Sequence, residues 1–255
     1  MNVFLTGASS GIGRALAREF ARRGAYLGLV ARREDALRAL ATELAPHCQV
    51  YAVDVTDRDR LIAAARDFEQ GCGATDIVVA CAGISVGVET QYYEDLAQFD
   101  RVLATNLNAV ATCFHPFIAP MRQRGRGTLA AMASVAGIRG LPGAEAYCAS
   151  KAALITYCES LRVGLHGSGV RVVTIAPGFI RTPMTAANPY PMPFLMDVDA
   201  FARRAAAAIE QGKSYVIIPW QMAWVARLLR VLPNWAFDRA LARRPRKPRA
   251  TPRQG

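Results

Sequence analysis

Residues 2–13 read NVFLTGASSGIG, and the fold of the chain follows from this stretch. Asn2 to Leu5 is a short, mostly apolar run ending in Thr6, which suits a strand buried in a parallel sheet. Gly7, Gly11 and Gly13 follow, and from Arg14 to Arg23 the apolar residues recur with helical periodicity. Strand, glycine turn, helix is the context in which a glycine cluster marks a dinucleotide site. Glycines let the backbone approach a pyrophosphate, and the helix N-terminus offers unpaired N–H groups and a partial positive charge. The spacing here is G-x-x-x-G-x-G, so the generic G-x-G-x-x-G fingerprint is not met, and a plain turn would use the same glycines.

Beyond this unit the pattern alternates. Tyr26 to Ala31, Gln49 to Val53, Asp76 to Ala80, Gly127 to Met132, Val170 to Ile175 and Tyr215 to Ile218 read as strands. Helical stretches lie between them at Arg33 to Leu44, Asp59 to Phe68, Leu96 to Arg122, Ala146 to Leu165 and Val198 to Glu210. Such alternation predicts an α/β chain, a Rossmann-like doubly wound parallel sheet in a single domain with right-handed crossovers. Ligands of such sheets sit beyond the carboxyl ends of the strands. At 255 residues and 52% hydrophobic, the chain has enough apolar side chains to cover a sheet on both faces.

The second informative motif is Tyr147-Cys148-Ala149-Ser150-Lys151. Residues four apart share one helix face, so the phenol and the ammonium stand side by side. A cation held there favours the phenolate and predicts a lowered tyrosine pKa. Such a tyrosine can act as general acid towards a carbonyl oxygen. Alone, Tyr-x-x-x-Lys fits a surface tyrosine beside a solvated lysine; the glycine loop changes that balance.

Further motifs follow in order: Asp54-Val55, Cys81-Ala82-Gly83, Asn106, Ser134, and Pro177-Gly178 with Thr182 close behind. In this series, from residue 2 to about residue 218, the chain resembles the short-chain dehydrogenases/reductases. The resemblance implies Tyr147 as proton donor, Lys151 holding a nicotinamide ribose and tuning the tyrosine, and Ser134 hydrogen-bonding the substrate oxygen. It implies that Asn106, inside a long helix, holds a water that relays protons towards Lys151. Taken singly, Ser134 also reads as a cap and Asn106 as a helix residue bonded to nearby backbone. The cofactor would meet Gly7, Ser9, Ser10, Gly11, Ile12 and Gly13 at its phosphates, and Asp54 and Val55 at its adenine. Ala82 and Gly83 would let backbone pass beside it, and Pro177, Gly178, Ile180 and Thr182 would flank the nicotinamide. One departure stands out: the family carries asparagine where this chain has Cys81, which removes an amide that ties neighbouring strands and puts local rigidity in question.

Cofactor choice is argued from the second strand. NAD-preferring sites place an acid at its end; here Ala31 occupies that position, with Arg32 and Arg33 behind it. A guanidinium can bind a 2′-phosphate through charge-assisted bonds that an acid would oppose. NADP is therefore expected over NAD, through Arg32 first and Arg33 or Ser10 assisting, although both arginines could simply start the next helix on its solvent side.

The segment after Thr182, PMTAANPYPMPFLMDVDAF, is rich in methionine and aromatics and is kept out of regular helix by Pro189, Pro191 and Pro193. It suits a large apolar carbonyl or alcohol, or equally core packing or a subunit contact. The carboxyl-terminal stretch stands apart. Residues 220–255 hold nine Lys or Arg against one acid, Asp238, a net +8 of the chain's +11. The chain thus divides into a catalytic domain at 1–219, an amphipathic helical extension at 220–243 and a basic tail at 244–255 expected to be disordered. Trp220, Trp224, Leu228 and Val231 recur at helical spacing with Arg227 and Arg230 beside them. That pattern fits a helix lying on an anionic membrane, and also a helix packed on the cleft or on a sister subunit. A basic tail alone gives nucleic acid only unspecific attraction, so no specific nucleic acid is expected.

Six cysteines without paired spacing read as reduced thiols, and three scattered histidines give no metal site. No leader and no spanning helix are apparent, so a cytoplasmic chain is expected. The resemblance implies a homodimer or homotetramer. The leading reading is an NADPH-dependent oxidoreductase interconverting a ketone or aldehyde and an alcohol. The alternatives are a nucleotide-sensing binding protein and a membrane-peripheral scaffold with little turnover.

Overall fold

The computed structural model describes residues 1–45, 47–186 and 188–249. Seven strands form one parallel sheet in the order β3-β2-β1-β4-β5-β6-β7. They are β1 (Asn2–Thr6), β2 (Tyr26–Ala31), β3 (Cys48–Ala52), β4 (Ile77–Ala80), β5 (Gly127–Met132), β6 (Val170–Pro177) and β7 (Tyr215–Ile218). The order reverses between β1 and β4, and a crevice at such a switch point is where doubly wound sheets take their ligands.

Both faces of the sheet are covered, and single strands show how. In β1, Val3 and Leu5 belong to one core and Phe4 to the other, each without solvent exposure. On the first face lie α1 (Gly11–Arg22), α2 (Glu34–Leu44) and α8 (Val198–Glu210), packed through Leu16, Phe20, Leu40 and Phe201. On the second lie α3 (Arg58–Cys72), α5 (Ala109–Arg124) and α6 (Glu145–Gly164). There Phe4 meets Phe68 and Phe117 with ring centroids 5.6 and 5.2 Å apart. Two-sided burial is why these strands read as continuous apolar runs rather than alternating ones.

The long helix expected over Leu96 to Arg122 is interrupted. It consists of α4 (Asp95–Leu103), a five-residue π turn (Ala104–Asn108) and α5. A π turn adds a residue without changing composition, so periodicity does not reveal it; such turns gather at functional sites. The run Asp95–Arg124 is long and apolar enough by composition to cross a bilayer. Val110, Phe114, Phe117 and Met121 on it are core residues here.

A single turn, α7 (Pro183–Ala186), follows β6, and after β7 come α9 (Gln221–Val231) and α10 (Asn234–Leu241). Residues 244–249, expected to be disordered, instead follow a defined course: Gly87 and Arg249 form a parallel β-bridge, and Arg249 pairs with Glu94 and Asp95. These partners lie more than 150 positions away in sequence, where no local pattern points to them. Residues 250–255 lie outside the described residues.

The strand ends are tied where Cys81 replaces the family's asparagine. Thr6 Oγ1 accepts from the N–H groups of both Cys81 and Ala82, at 3.1 and 3.2 Å. The hydroxyl of one central strand thus fixes the end of its neighbour without any side-chain amide. Thr6→Val keeps the shape and removes the acceptor, leaving two enclosed N–H groups unpaired. A loss of about 1–3 kcal/mol is expected in urea denaturation, with Thr6→Ser close to wild type.

Candidate active site

The carboxyl ends of β1, β2, β4, β5 and β6 open into one cleft of about 560 Å³. Its lining brings together Gly7, Ser9, Ser10, Gly11, Ile12, Gly13, Arg32, Arg33, Asp54, Val55, Ala82 and Gly83 at one end. Ser134, Tyr147, Lys151, Pro177, Gly178, Ile180 and Thr182 lie along the rest. Residues from six separate sequence motifs therefore share one space.

The glycine loop is shaped for close approach. Gly7 has φ +76°, and a Cβ there would stand 2.8 Å from Ala82 N; one on Gly13 would stand 2.2 Å from the Gly7 carbonyl oxygen. Gly7 N and Ala8 N both donate to the Val30 carbonyl, at 2.8 and 3.2 Å, which turns the loop back over β2. The first turn of α1 carries no acidic side chain, so its free N–H groups face the cleft with their positive end unopposed. This cradle fits a pyrophosphate.

At the outer edge, Arg33 Nη2 donates to the Ser9 carbonyl and hydroxyl oxygens at 3.2 and 3.3 Å. Arg32 Nη1 stands 3.7 Å from Asp54 Oδ2. Burial works against ionisation of Asp54, but bonds from Thr56 and the charge of Arg32 outweigh it and hold the carboxyl below its usual range. The two arginines thus border the loop, and Arg33 is also the exposed N-cap residue of α2, which begins at Glu34.

Asn106 is not on the cleft surface but directly behind it, fully buried in the π turn. Its Oδ1 accepts from Ile84 N at 2.9 Å; its Nδ2 donates to the Ile84 carbonyl and to Ser150 Oγ, both at 3.0 Å. Both amide N–H groups are therefore engaged. A water held at this position would use the second lone pair of Oδ1 or a backbone carbonyl of the turn. Ser134 caps the short helical turn Val135–Gly137, its Oγ accepting from Ala136 N at 3.1 Å. Because the oxygen accepts there, the hydroxyl proton is free to point elsewhere.

Tyr147 and Lys151 stand together as the helix spacing requires, with Lys151 Nζ 5.8 Å from the Tyr147 ring centroid. Their electrostatics differ from the expectation. Burial pushes the Tyr147 hydroxyl up to about 12, against a small opposing pull from Ser134. Burial also pushes the Lys151 ammonium down to about 8. The ammonium donates to the Met132 carbonyl at 2.8 Å, so backbone, not phenol, takes its hydrogen bond. Sequence spacing gives adjacency; it does not give the cost of removing both groups from water, and that cost dominates here. Cys148 is buried and its thiol is pushed up, a packed residue rather than a reactive one. Sequence reasoning also missed Ser150 and the Met132 carbonyl, which act as partners of motif residues and carry no pattern of their own.

The sequence profile described as short chain dehydrogenase matches residues 1–191. The chain belongs to that family. An uncharacterized oxidoreductase of Myxococcus xanthus is 40% identical over 242 residues, covering 94% of this chain and 95% of the relative. Among solved structures, a 3-ketoacyl-(acyl-carrier-protein) reductase from Brucella melitensis complexed with NADH is similar at TM-score 0.78. It is 24% identical and aligns over 85% of this chain and 96% of its own. ElxO with NADP bound is similar at TM-score 0.75 and 21% identity, with the same two coverages. At those identities the structures speak to the fold. As a short chain dehydrogenase the protein is an oxidoreductase, and the family match ends before β7 and the basic extension.

The Lys151 shift makes stability depend on pH. Below about pH 8 the lysine is charged in both states and folding bears the whole cost of burying it. Between about 8 and its ordinary 10.5 the folded state releases the proton while the unfolded chain keeps it, so stability rises with pH. Wild type is expected to gain on Lys151→Met across that window, measured by paired urea denaturations; a pH-independent gap would show that the group is not depressed.

Proposed function

We propose that this short chain dehydrogenase is an NADPH-dependent reductase acting on a large apolar ketone or aldehyde, with Tyr147 as proton donor. The observation that carries the reading is the continuity of one cleft from the two arginines beside the glycine loop to Tyr147, Ser134 and Lys151. Ala31 offers no carboxylate to oppose a 2′-phosphate, and Arg32 and Arg33 supply the guanidinium charge that would bind it. The names of the structural neighbours include both NADP and NADH, so this preference rests on the arginines.

When bound, the nicotinamide supplies the hydride that reduces the carbonyl carbon. The chain's own groups handle the oxygen. A phenol with its pKa near 12 is fully protonated at neutral pH, which suits an acid that delivers a proton as charge builds on the substrate oxygen. Ser134, whose hydroxyl is hydrogen-bonded to that of Tyr147, donates a hydrogen bond to the substrate oxygen when it is present. Lys151, still charged at neutral pH, stands beside the ring and offsets the negative charge the tyrosine acquires once the proton has left. Asn106, by holding Ile84 and Ser150, keeps α6 in register with the cleft. Met184 lines the cleft, and Tyr190, whose ring packs on Phe179, follows it in the chain, giving apolar surface on which a hydrophobic substrate can rest.

The test follows NADPH absorbance against carbonyls graded by size and apolarity, with NADH alongside. Tyr147→Phe is expected to lower turnover by about 10²–10⁴-fold while NADPH still binds. Arg32→Ala is expected to raise KM for NADPH by about tenfold or more and leave NADH alone, as loss of a charge-assisted bond would. NADPH binding without turnover across the whole panel would favour a nucleotide-sensing protein instead, and unchanged turnover in Tyr147→Phe would remove Tyr147 as proton donor.

A second reading concerns the extension. Trp220, Trp224, Leu228, Val231 and Trp235 are each at least 62% exposed, in a row along α9 and onto α10. Arg227, Arg230, Arg239 and Arg243 flank it, exposed. We propose that this row rests on an anionic bilayer. Arg244, Arg246 and Arg249 turn instead towards the Tyr190 ring and acidic side chains, so removing 244–255 should leave vesicle binding largely intact. Trp224→Glu with Leu228→Glu should abolish flotation with anionic vesicles; a changed oligomeric state without loss of flotation would assign the face to a sister subunit.

A further inference from the structure

Residues 244–249 run past the catalytic end of the cleft, where Lys247 Nζ stands 5.9 Å from the Tyr147 ring centroid, and are held on two sides. On one side Arg244 stacks 5.2 Å from the Tyr190 ring centroid and donates to the Pro191 carbonyl at 3.5 Å. On the other, Arg246 donates to Glu89, and Gly87 N donates to the Pro248 carbonyl at 3.0 Å. Arg249 donates to Asp95 at 2.8 and 3.0 Å and to Glu94 at 3.1 Å, and its guanidinium lies 3.5 Å from the Tyr92 ring centroid. The body of the protein leaves room for this course. A Cβ on Gly87 would stand 2.4 Å from the Lys247 carbonyl oxygen, and one on Gly143 would stand 2.9 Å from Arg246 Cβ.

Each described arginine of the segment therefore has an aromatic or acidic partner, and Lys247 differs from them. Among the described residues it forms no ion pair. Its Nζ donates to Ser85 Oγ at 2.6 Å and stands 5.9 Å from the Tyr147 ring centroid. Lys151 approaches the same ring to 5.8 Å. An ammonium has three donors, and the serine takes one. A half-buried cation beside the reacting tyrosine, with two N–H groups and its charge unspent, calls for an anion. The Tyr190 ring, stacked on Arg244 of the same segment, and Met184 on the cleft wall supply apolar surface to the site. An apolar body together with a negative group meets both demands.

We propose that residues 244–249 form a strap closing the outer wall of the substrate site, and that Lys247 on it is a specificity-determining residue for a carboxylate on the carbonyl substrate. The substrate class is then an oxo acid with a long or bulky apolar body. This rests on the reductase reading of the same cleft and narrows it.

The test is a binding experiment, so that it reads out even where turnover does not. Decanoate and decanol are titrated calorimetrically into the full-length protein, into Lys247→Met and Lys247→Arg, and into a chain ending at Arg243. Wild type is expected to bind decanoate about tenfold more tightly than decanol. Lys247→Met should lose that preference with decanol binding unchanged, the shortened chain should lose it and bind both ligands more weakly, and Lys247→Arg should keep it. Three outcomes overturn the proposal: no preference for decanoate in wild type, a preference retained in Lys247→Met, or an equal fall for both ligands, which would make Lys247 only a pin for the strap. In turnover, the ratio of kcat/KM for an oxo acid over its methyl ester should fall about tenfold in Lys247→Met. If that ratio stays constant while Tyr147→Phe is inactive, the anion subsite fails and the reductase stands; if Tyr147→Phe is fully active, the reductase reading fails and the decanoate comparison still decides the subsite.

Discussion

A buried amide holds the two halves of the site at a fixed distance. Asn106 binds both backbone groups of Ile84, just past the end of β4, and also Ser150 Oγ in α6. Ser150 in turn donates to the Tyr147 carbonyl at 2.8 Å. One side chain therefore links the strand end that borders the glycine loop to the helix that carries Tyr147 and Lys151. With no solvent exposure, its amide has no water to fall back on, so breaking the link would strand several polar groups at once. The π turn is what delivers it: the extra residue between α4 and α5 aims the amide sideways into the gap rather than along the helix.

Around this frame, desolvation sets the chemistry. The same enclosure raises the phenol and lowers the ammonium. The pair is thus kept near its uncharged tyrosine and weakly held lysine proton, a state suited to giving a proton rather than taking one. The reverse arrangement, a charged lysine in water beside an exposed tyrosine, would stabilise the phenolate little, because water screens the pair. Enclosure makes each charge costly and so makes any counter-charge brought by a ligand matter more.

The basic extension shows charge sorted by tertiary contact. Nine cations in residues 220–255 look in sequence like one solvated block. In three dimensions the eight described ones divide. Some flank the exposed tryptophan row, some lock onto Glu89, Glu94 and Asp95, and one faces the reacting tyrosine. Asp95 is nearly buried, and without Arg249 its charge would be left without that partner, which is costly; this favours a defined course for a proline-broken, polar segment.

Local patterns in the sequence carry the alternation of strands and helices and the boundaries of β2, β5, β7 and α8 to the residue. These follow from short-range rules: apolar runs make buried strands, glycines allow close turns, and four-residue spacing places Tyr147 over Lys151. Tertiary structure alone decided the rest. The substitution at Cys81 is absorbed by Thr6, 75 positions away; the direction of the tyrosine shift depends on enclosure by distant elements; and the course of residues 244–249 depends on acids more than 150 positions upstream. Each is a long-range contact whose energy is invisible until the sheet has brought its partners together.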